Sequence, residues 1–171
     1  LPVVAAFEHD GAAKTMVHHL KYRGLSAYAE MVAGSLAGRL PRLPIVAIPR
    51  ALSRRIKYGV DPARVIASCL ARRLEVPLVE ALARPLHTRR RAGRDHSRPV
   101  APFRRRSSLR FPVIVVDDVV TTGATALAAV EAIGADLARM VAAANVVPDP
   151  SSLGGRMTSP KPGVDRGWQA Y

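Results

Sequence analysis

Cysteine is almost missing from this chain: Cys69 is the single one in 171 residues. One thiol cannot close a disulfide within the chain, and it lacks the company a zinc site needs, so a disulfide scaffold and a zinc-stabilised module are both excluded. Cys69 falls into the apolar rhythm Val65, Ile66, Cys69, Leu70 and is expected in the core. Aromatic residues are scarce too, with three Phe, four Tyr and one Trp, too few for an evident platform on which single-stranded bases could stack. No run approaches the roughly twenty apolar residues of a membrane helix, and the first residues lack the basic and apolar regions of a signal peptide. A cytoplasmic location and no membrane partner are therefore expected.

Negative charge is short. Thirteen acidic residues face 26 basic ones, leaving a formal charge of +13. The outward field attracts polyanions, whether nucleic acid, pyrophosphate or an anionic membrane surface, and does not choose among them. Charge sets a class of partner; the choice within it needs a site.

What is present is alternation of short apolar strands with helical patterns, in a length suited to one α/β unit. Strands are expected at 3–7, 45–48, 76–79 and 140–147. Asp10-Gly11 opens a first helix carrying Met16, Val17 and Leu20 inward. A second keeps Tyr28, Val32, Leu36 and Leu40 on one face until Pro41 stops it, and a third runs from Pro62, with Asp61 as its cap, to Leu74. From 84 to 110 the pattern changes. Arginine triplets at 89–91 and 104–106, with Pro99 and Pro102 between them, predict an exposed, mobile basic loop. Beyond 147, Pro, Gly, Ser and Asp dominate and predict a disordered tail over 148–171. The expected layout is thus one domain over 1–147, containing that loop, and the tail.

The most informative stretch is Val-Ile-Val-Val-Asp-Asp-Val-Val-Thr-Thr-Gly-Ala-Thr at 113–125. Residues 113–116 are apolar and β-branched without polar alternation, as in a parallel strand covered by helices on both faces. Asp117 and Asp118 are then expected at its C-terminal edge, where open α/β sheets keep their ligands. Thr121, Thr122, Gly123, Ala124 and Thr125 follow, and Leu127, Val130 and Ile133 recur at helical spacing. Unpaired N–H groups at such a helix start suit a phosphate monoester. Two carboxylates beside a phosphate would only repel it, unless the ligand also carries hydroxyls for them to accept from, as a ribose 5-phosphate does. Pro49 and Arg50 leave the C-terminal end of the 45–48 strand and are expected beside this site.

Residues 113–125 resemble, at every position, the phosphoribosyl-pyrophosphate (PRPP) signature of the type I phosphoribosyltransferases. His19-Leu-Lys-Tyr-Arg-Gly24, and its distance to the Pro49 loop, resemble the competence-associated ComF family within that superfamily, over roughly residues 3–147. The resemblance implies a doubly wound, mainly parallel α/β fold of the type I phosphoribosyltransferase kind. It implies PRPP or a nucleotide-like small molecule as ligand. Asp117 and Asp118 would be the catalytic pair on the ribose hydroxyls, residues 121–125 the 5′-phosphate cradle, and Pro49 and Arg50 the pyrophosphate side. Mg²⁺ would arrive with PRPP, not in a dedicated protein site. The chain departs from the family where its Arg-Gly-Phe-Asn-Gln segment becomes Tyr58-Gly59-Val60-Asp61-Pro62, keeping only the glycine, and where the Gln and Arg…Asn features of the mobile loop are only echoed. The cysteine-bearing zinc ribbon usual at the family's N-terminus is not in this sequence.

These departures fall on the pyrophosphate and acceptor side, so ribose-phosphate binding is better supported than transfer. Two functions stay open: a pentosyltransferase moving phosphoribosyl to or from a base, and a non-catalytic ribose-phosphate-sensing module acting in DNA uptake or processing through its basic surface. The second adds single-stranded DNA or a DNA-processing protein as partner. A homodimer is carried as a further partner state. His18, His19 and His96 are assigned no chemistry. The acceptor base is not legible.

Overall fold

A computed structural model describes residues 2–8, 15, 19, 26–50, 59–83, 103–107 and 109–146. The rest of the helix expected after Asp10, the first arginine triplet and the expected tail lie outside these residues. The elements are β1 (Val3–Glu8), α1 (Ser26–Ala37), β2 (Ile45–Ala47), α2 (Pro62–Leu74), β3 (Leu82–Ala83), β4 (Arg104–Arg105), β5 (Val113–Val120), α3 (Ala124–Ile133) and β6 (Ala138–Val146).

Four strands form one parallel sheet in the order β1-β6-β5-β2. Leu78 adds a parallel bridge to Ile45 on the outer side of β2. The expected strand at 76–79 is thus reduced to one bridging position. The chain is α/β with a mainly parallel sheet, and its layers follow from strand alternation. Ile114 and Val116 of β5 share a core with Val32 and Leu36 of α1 and Ile66 and Leu70 of α2. Val113 and Val115 face the opposite core, with Val130 and Ile133 of α3. All four of these valine and isoleucine side chains are fully buried, as the unbroken β-branched run requires.

α1 ends three residues before the expected Leu40. The Arg39 N–H closes a turn on the Leu36 carbonyl at 2.9 Å, and that turn still buries Leu40. α2 spans its expected residues. Cys69 sits in the α1–α2 core, where burial pushes its thiol pKa up, and its hydrogen bond with Glu30 pushes the same way. Glu30 in turn joins α1 to α2 through ion pairs with Arg72 and Arg73. The bond from Cys69, ahead of the two guanidinium groups, holds its carboxyl below the ordinary value.

Two expectations change. Leu127 is 58% exposed, because Ala126 and Ala129 take the buried positions of α3 beside Val130 and Ile133. The stretch expected to be loop up to 110 is partly built. Arg104–Arg105 pairs antiparallel with Leu82–Ala83, and Phe103 and Leu109 are buried in the α3-side core. Two buried apolar side chains anchor this end, which the surrounding arginines concealed in the sequence. Arg105 donates from Nη1 to the Ile133 carbonyl at 3.3 Å and so meets the C-terminus of α3, the end of the helix dipole that favours a cation.

Glu75, at the end of α2, is the only non-glycine with positive φ among the described residues (φ 53°, ψ 45°). Its N–H and that of Val76 satisfy the carbonyls of Arg72 and Ala71, a closure that glycine makes more easily. Glu75→Gly should stabilise the domain by roughly 0.5–1 kcal/mol, the left-handed strain outweighing the exposed Arg42–Glu75 pair. Urea denaturation checks this: a lower midpoint for the glycine variant would put the ion pair ahead of the strain.

Candidate functional site

The candidate site lies between β2 and β5, and connectivity gives the reason. β2 and β5 pair directly, Ile45 with Ile114 through Ala47 with Val116. From β2 the chain crosses through α2 to the Leu78 bridge on the outer side, whereas from β5 it crosses through α3 to β6 on the inner side. The two helices pack in opposite cores. Neighbouring strands whose connections leave in opposite directions open a crevice at their C-terminal ends, the position where open α/β sheets bind ligands.

Each sequence-predicted residue can be placed against that crevice. The Ile48 N–H donates to the Val116 carbonyl at 2.9 Å, which keeps β2 alongside β5 up to the residue before the acids. Pro49 and Arg50 therefore leave beside Asp117 and Asp118, as expected. The acids lie inside β5, not at its end, because the strand continues to Val120 by pairing Val119 with Asn145 and Val120 with Val146. Asp117 is buried and Asp118 half-buried.

Strict alternation would put these carboxylates on opposite faces of the sheet. The packing shows that alternation slips here. Val119 packs against the α1–α2 core, the side of Ile114 and Val116, while Val120 joins the α3-side core. The phase of the side chains has shifted by one across the acidic pair. Each carboxylate also accepts from the following amide: Asp118 N–H to Asp117 Oδ1 at 2.8 Å, and Val119 N–H to Asp118 Oδ1 at 2.9 Å. Both carboxylates are thus tied to the main chain of their own strand.

The small-residue turn behaves as its composition predicts. Gly123 is the N-cap of α3 at φ 72°, a left-handed conformation that only glycine adopts without strain. No side-chain oxygen caps the helix at that position. The first intrahelical bond runs from Leu127 N–H to the Gly123 carbonyl at 2.8 Å, which leaves the amides of Ala124, Thr125 and Ala126 outside the helical ladder. Of these, the Ala124 N–H reaches Thr122 Oγ1 only at 3.5 Å. Thr121, Thr122, Ala124 and Thr125 are exposed around this end. Chemically, the crevice offers a positive helix end beside two carboxylates, with Arg50 on the facing loop.

Asp61 was expected only as the cap of α2. It occupies the N-cap position but makes no cap hydrogen bond; its Oδ2 accepts instead from the Arg50 N–H at 3.1 Å. Arg50 Nη1 donates to the Val60 carbonyl at 3.3 Å. Only tertiary contact could show this, since an acid before a proline at a helix start reads as a cap. Asn145, buried and paired in register with Val119, is a second polar side chain at this end of the sheet that the sequence did not single out. Of His18, His19 and His96, only His19 is among the described residues, and it lies against the Tyr28 ring at a centroid distance of 5.8 Å.

Gly123→Val should lower stability by roughly 2 kcal/mol, since a β-branched residue tolerates this φ poorly, and should remove affinity of the helix end for inorganic phosphate. Gly34→Ala, whose Cβ would come no closer than 3.8 Å to Arg73, serves as control and should be neutral or stabilising. Chemical denaturation and a phosphate titration of both variants decide it: retained phosphate binding in a folded Gly123→Val protein would displace the anion site from this turn.

Set against models of known families and against curated proteins, the chain matches none, and the reading of this crevice therefore rests on its residues and their geometry.

Proposed function

We propose that the chain is a phosphoribosyltransferase-like protein of the ComF branch, with a type I phosphoribosyltransferase fold, and that its crevice binds PRPP or a related ribose 5-phosphate. The observation that carries the reading is the coincidence of two independent features. The stretch at 113–125, which resembles a PRPP signature, ends in the β2–β5 crevice, the one place where connectivity alone puts a ligand.

In this reading the first-turn amides of α3 hold the 5′-phosphate, and Asp117 and Asp118 accept from the 2′- and 3′-hydroxyls. Arg50 faces the pyrophosphate. Mg²⁺ would arrive with the diphosphate and not in a dedicated protein site, and would supply screening of the leaving group's charge. As the C1–oxygen bond to pyrophosphate breaks, positive charge develops on the ribose, and Asp117 and Asp118 are the anionic groups placed to stabilise it. The acceptor, a base, takes the ribose at C1.

Thermal shift with PRPP and Mg²⁺, followed by ³¹P detection of released pyrophosphate over a panel of bases, tests binding and transfer separately. Asp117→Asn and Asp118→Asn should each weaken ribose 5-phosphate binding about tenfold or more, since hydrogen bonds to a charged group contribute about 1.5 kcal/mol or more. Inorganic phosphate should bind these variants equally well or better, because a repelling charge has gone. Parallel losses for the two ligands would show that the pair does not read ribose.

The second reading, a ribose-phosphate sensor that meets single-stranded DNA through its basic surface, draws on Arg104, Arg106 and Arg139, all exposed. β6 advances from Ala138 to Met140 while β5 advances from Val113 to Ile114, so Arg139 is the extra residue of a bulge, a device that re-aims a side chain. Arg105 is already engaged at α3. Neutralising Arg104 and Arg106 together should therefore lower the single-strand salt slope by at most about 1.4, from roughly 0.7 counterions per phosphate contact. Fluorescence anisotropy over a salt series measures this, and an unchanged slope would return both arginines to the solvated surface.

A further inference from the structure

Asp61 is one of three buried polar side chains among the described residues, with 6% of its surface exposed. A buried carboxylate is costly unless it is well partnered, and at the start of a helix a neutral Ser, Thr or Asn would cap at less expense. Asp61 does not cap. Its Oδ2 takes the Arg50 N–H at 3.1 Å, and the Arg50 guanidinium returns to the Val60 carbonyl at 3.3 Å. Main chain and side chain of Arg50 are thus both tied to the residues that open α2, which closes the connection between β2 and α2 with a clasp at its two ends. On the other side, the bond from Ile48 to Val116 fixes the start of that connection against β5.

We infer that Asp61 is a positioning residue of the crevice: its clasp on Arg50 sets where the cationic group faces a diphosphate, an inference that rests on the ribose-phosphate reading. Arg50 is half-buried, so its guanidinium is restrained without being sealed off. A restrained cation gives up less conformational freedom when the anion binds, and binds it more tightly for that reason. The carboxylate has an opposing effect, because its own negative charge repels the same anion. These two effects separate by substitution. Asn at position 61 keeps an oxygen that can accept the Arg50 N–H and loses the charge, whereas Ala loses both.

The test titrates inorganic pyrophosphate and ribose 5-phosphate, by calorimetry, into the full chain and its Asp61→Asn, Asp61→Ala, Arg50→Gln and Asp61→Ala/Arg50→Gln variants. Asp61→Ala should weaken pyrophosphate binding about tenfold, the scale of one charge-assisted hydrogen bond, while Asp61→Asn binds it as tightly as the parent or more tightly. Ribose 5-phosphate affinity should stay within about twofold in both, because the helix end and the acidic pair lie on β5 and α3. The double variant should lose little more than Arg50→Gln alone, since the clasp acts on pyrophosphate only through the cation it positions. A purely structural Asp61 would instead lower the melting temperature and weaken both ligands together in Asn and Ala alike; that result overturns the inference and leaves the ribose-phosphate reading standing. Unchanged pyrophosphate binding in a folded Asp61→Ala chain overturns it as well. Failure of the parent chain to bind ribose 5-phosphate removes the reading itself, and the inference falls with it.

Discussion

The structure depends on the pairing of β5 with neighbours on both sides. β5 bonds β6 along almost its whole length and β2 along its first half, and its apolar residues fill both cores. A parallel strand in that position must be apolar on both faces, which is why 113–116 tolerates no polar side chain. The sheet cannot lose this strand without dividing into two edges. The candidate site residues begin where the apolar requirement ends, at Asp117, so the strand that organises the core also carries the candidate site.

Placing two adjacent carboxylates inside a central strand sets the pleat against any ligand that would meet both of them. A regular pleat would send Asp117 and Asp118 to opposite faces. The shift of phase between Val116 and Val119, together with the two carboxylates folded over the next amides, relaxes that conflict locally while the pairing with β6 holds its register. The neighbouring rows of β6, Ala143 and Ala144, are small and buried. A larger pair of side chains beside the acids would compete with them for the same space.

The basic surplus divides in the same way between structure and availability. Arg72 and Arg73 bind Glu30 across α1 and α2, Arg64 pairs with Glu80, and Arg105 meets the end of α3. Exposed pairs of this kind each contribute little to stability, about 0–1 kcal/mol. Their main consequence is that a count of arginines overstates the charge free to meet a polyanion. Arg104, Arg106 and Arg139 are exposed at the surface, whereas Arg50 is held in the crevice by main-chain and side-chain bonds.

The sequence by itself determined the α/β class, the β5–α3 unit and the cluster of 117–125, because each is local: a β-branched run, an acidic pair, a glycine at a turn and helical spacing all lie within a few residues of one another. It also determined the span of α2 and the burial of Cys69. Tertiary structure decided what depends on distant partners. The Pro49-Arg50 loop was expected beside the acids from the general rule for open sheets, but the pairing of β2 with β5 that puts it there is a tertiary contact that residues 45–50 do not name. Pairing with β6 carried β5 past the acids, and packing of Ala126 and Ala129 turned Leu127 outward. Burial of Phe103 and Leu109 turned arginine-rich chain into strand. Asp61 shows the distinction best: it lies eleven positions beyond Arg50, so local rules could read it only as a cap, and the fold made it a clasp.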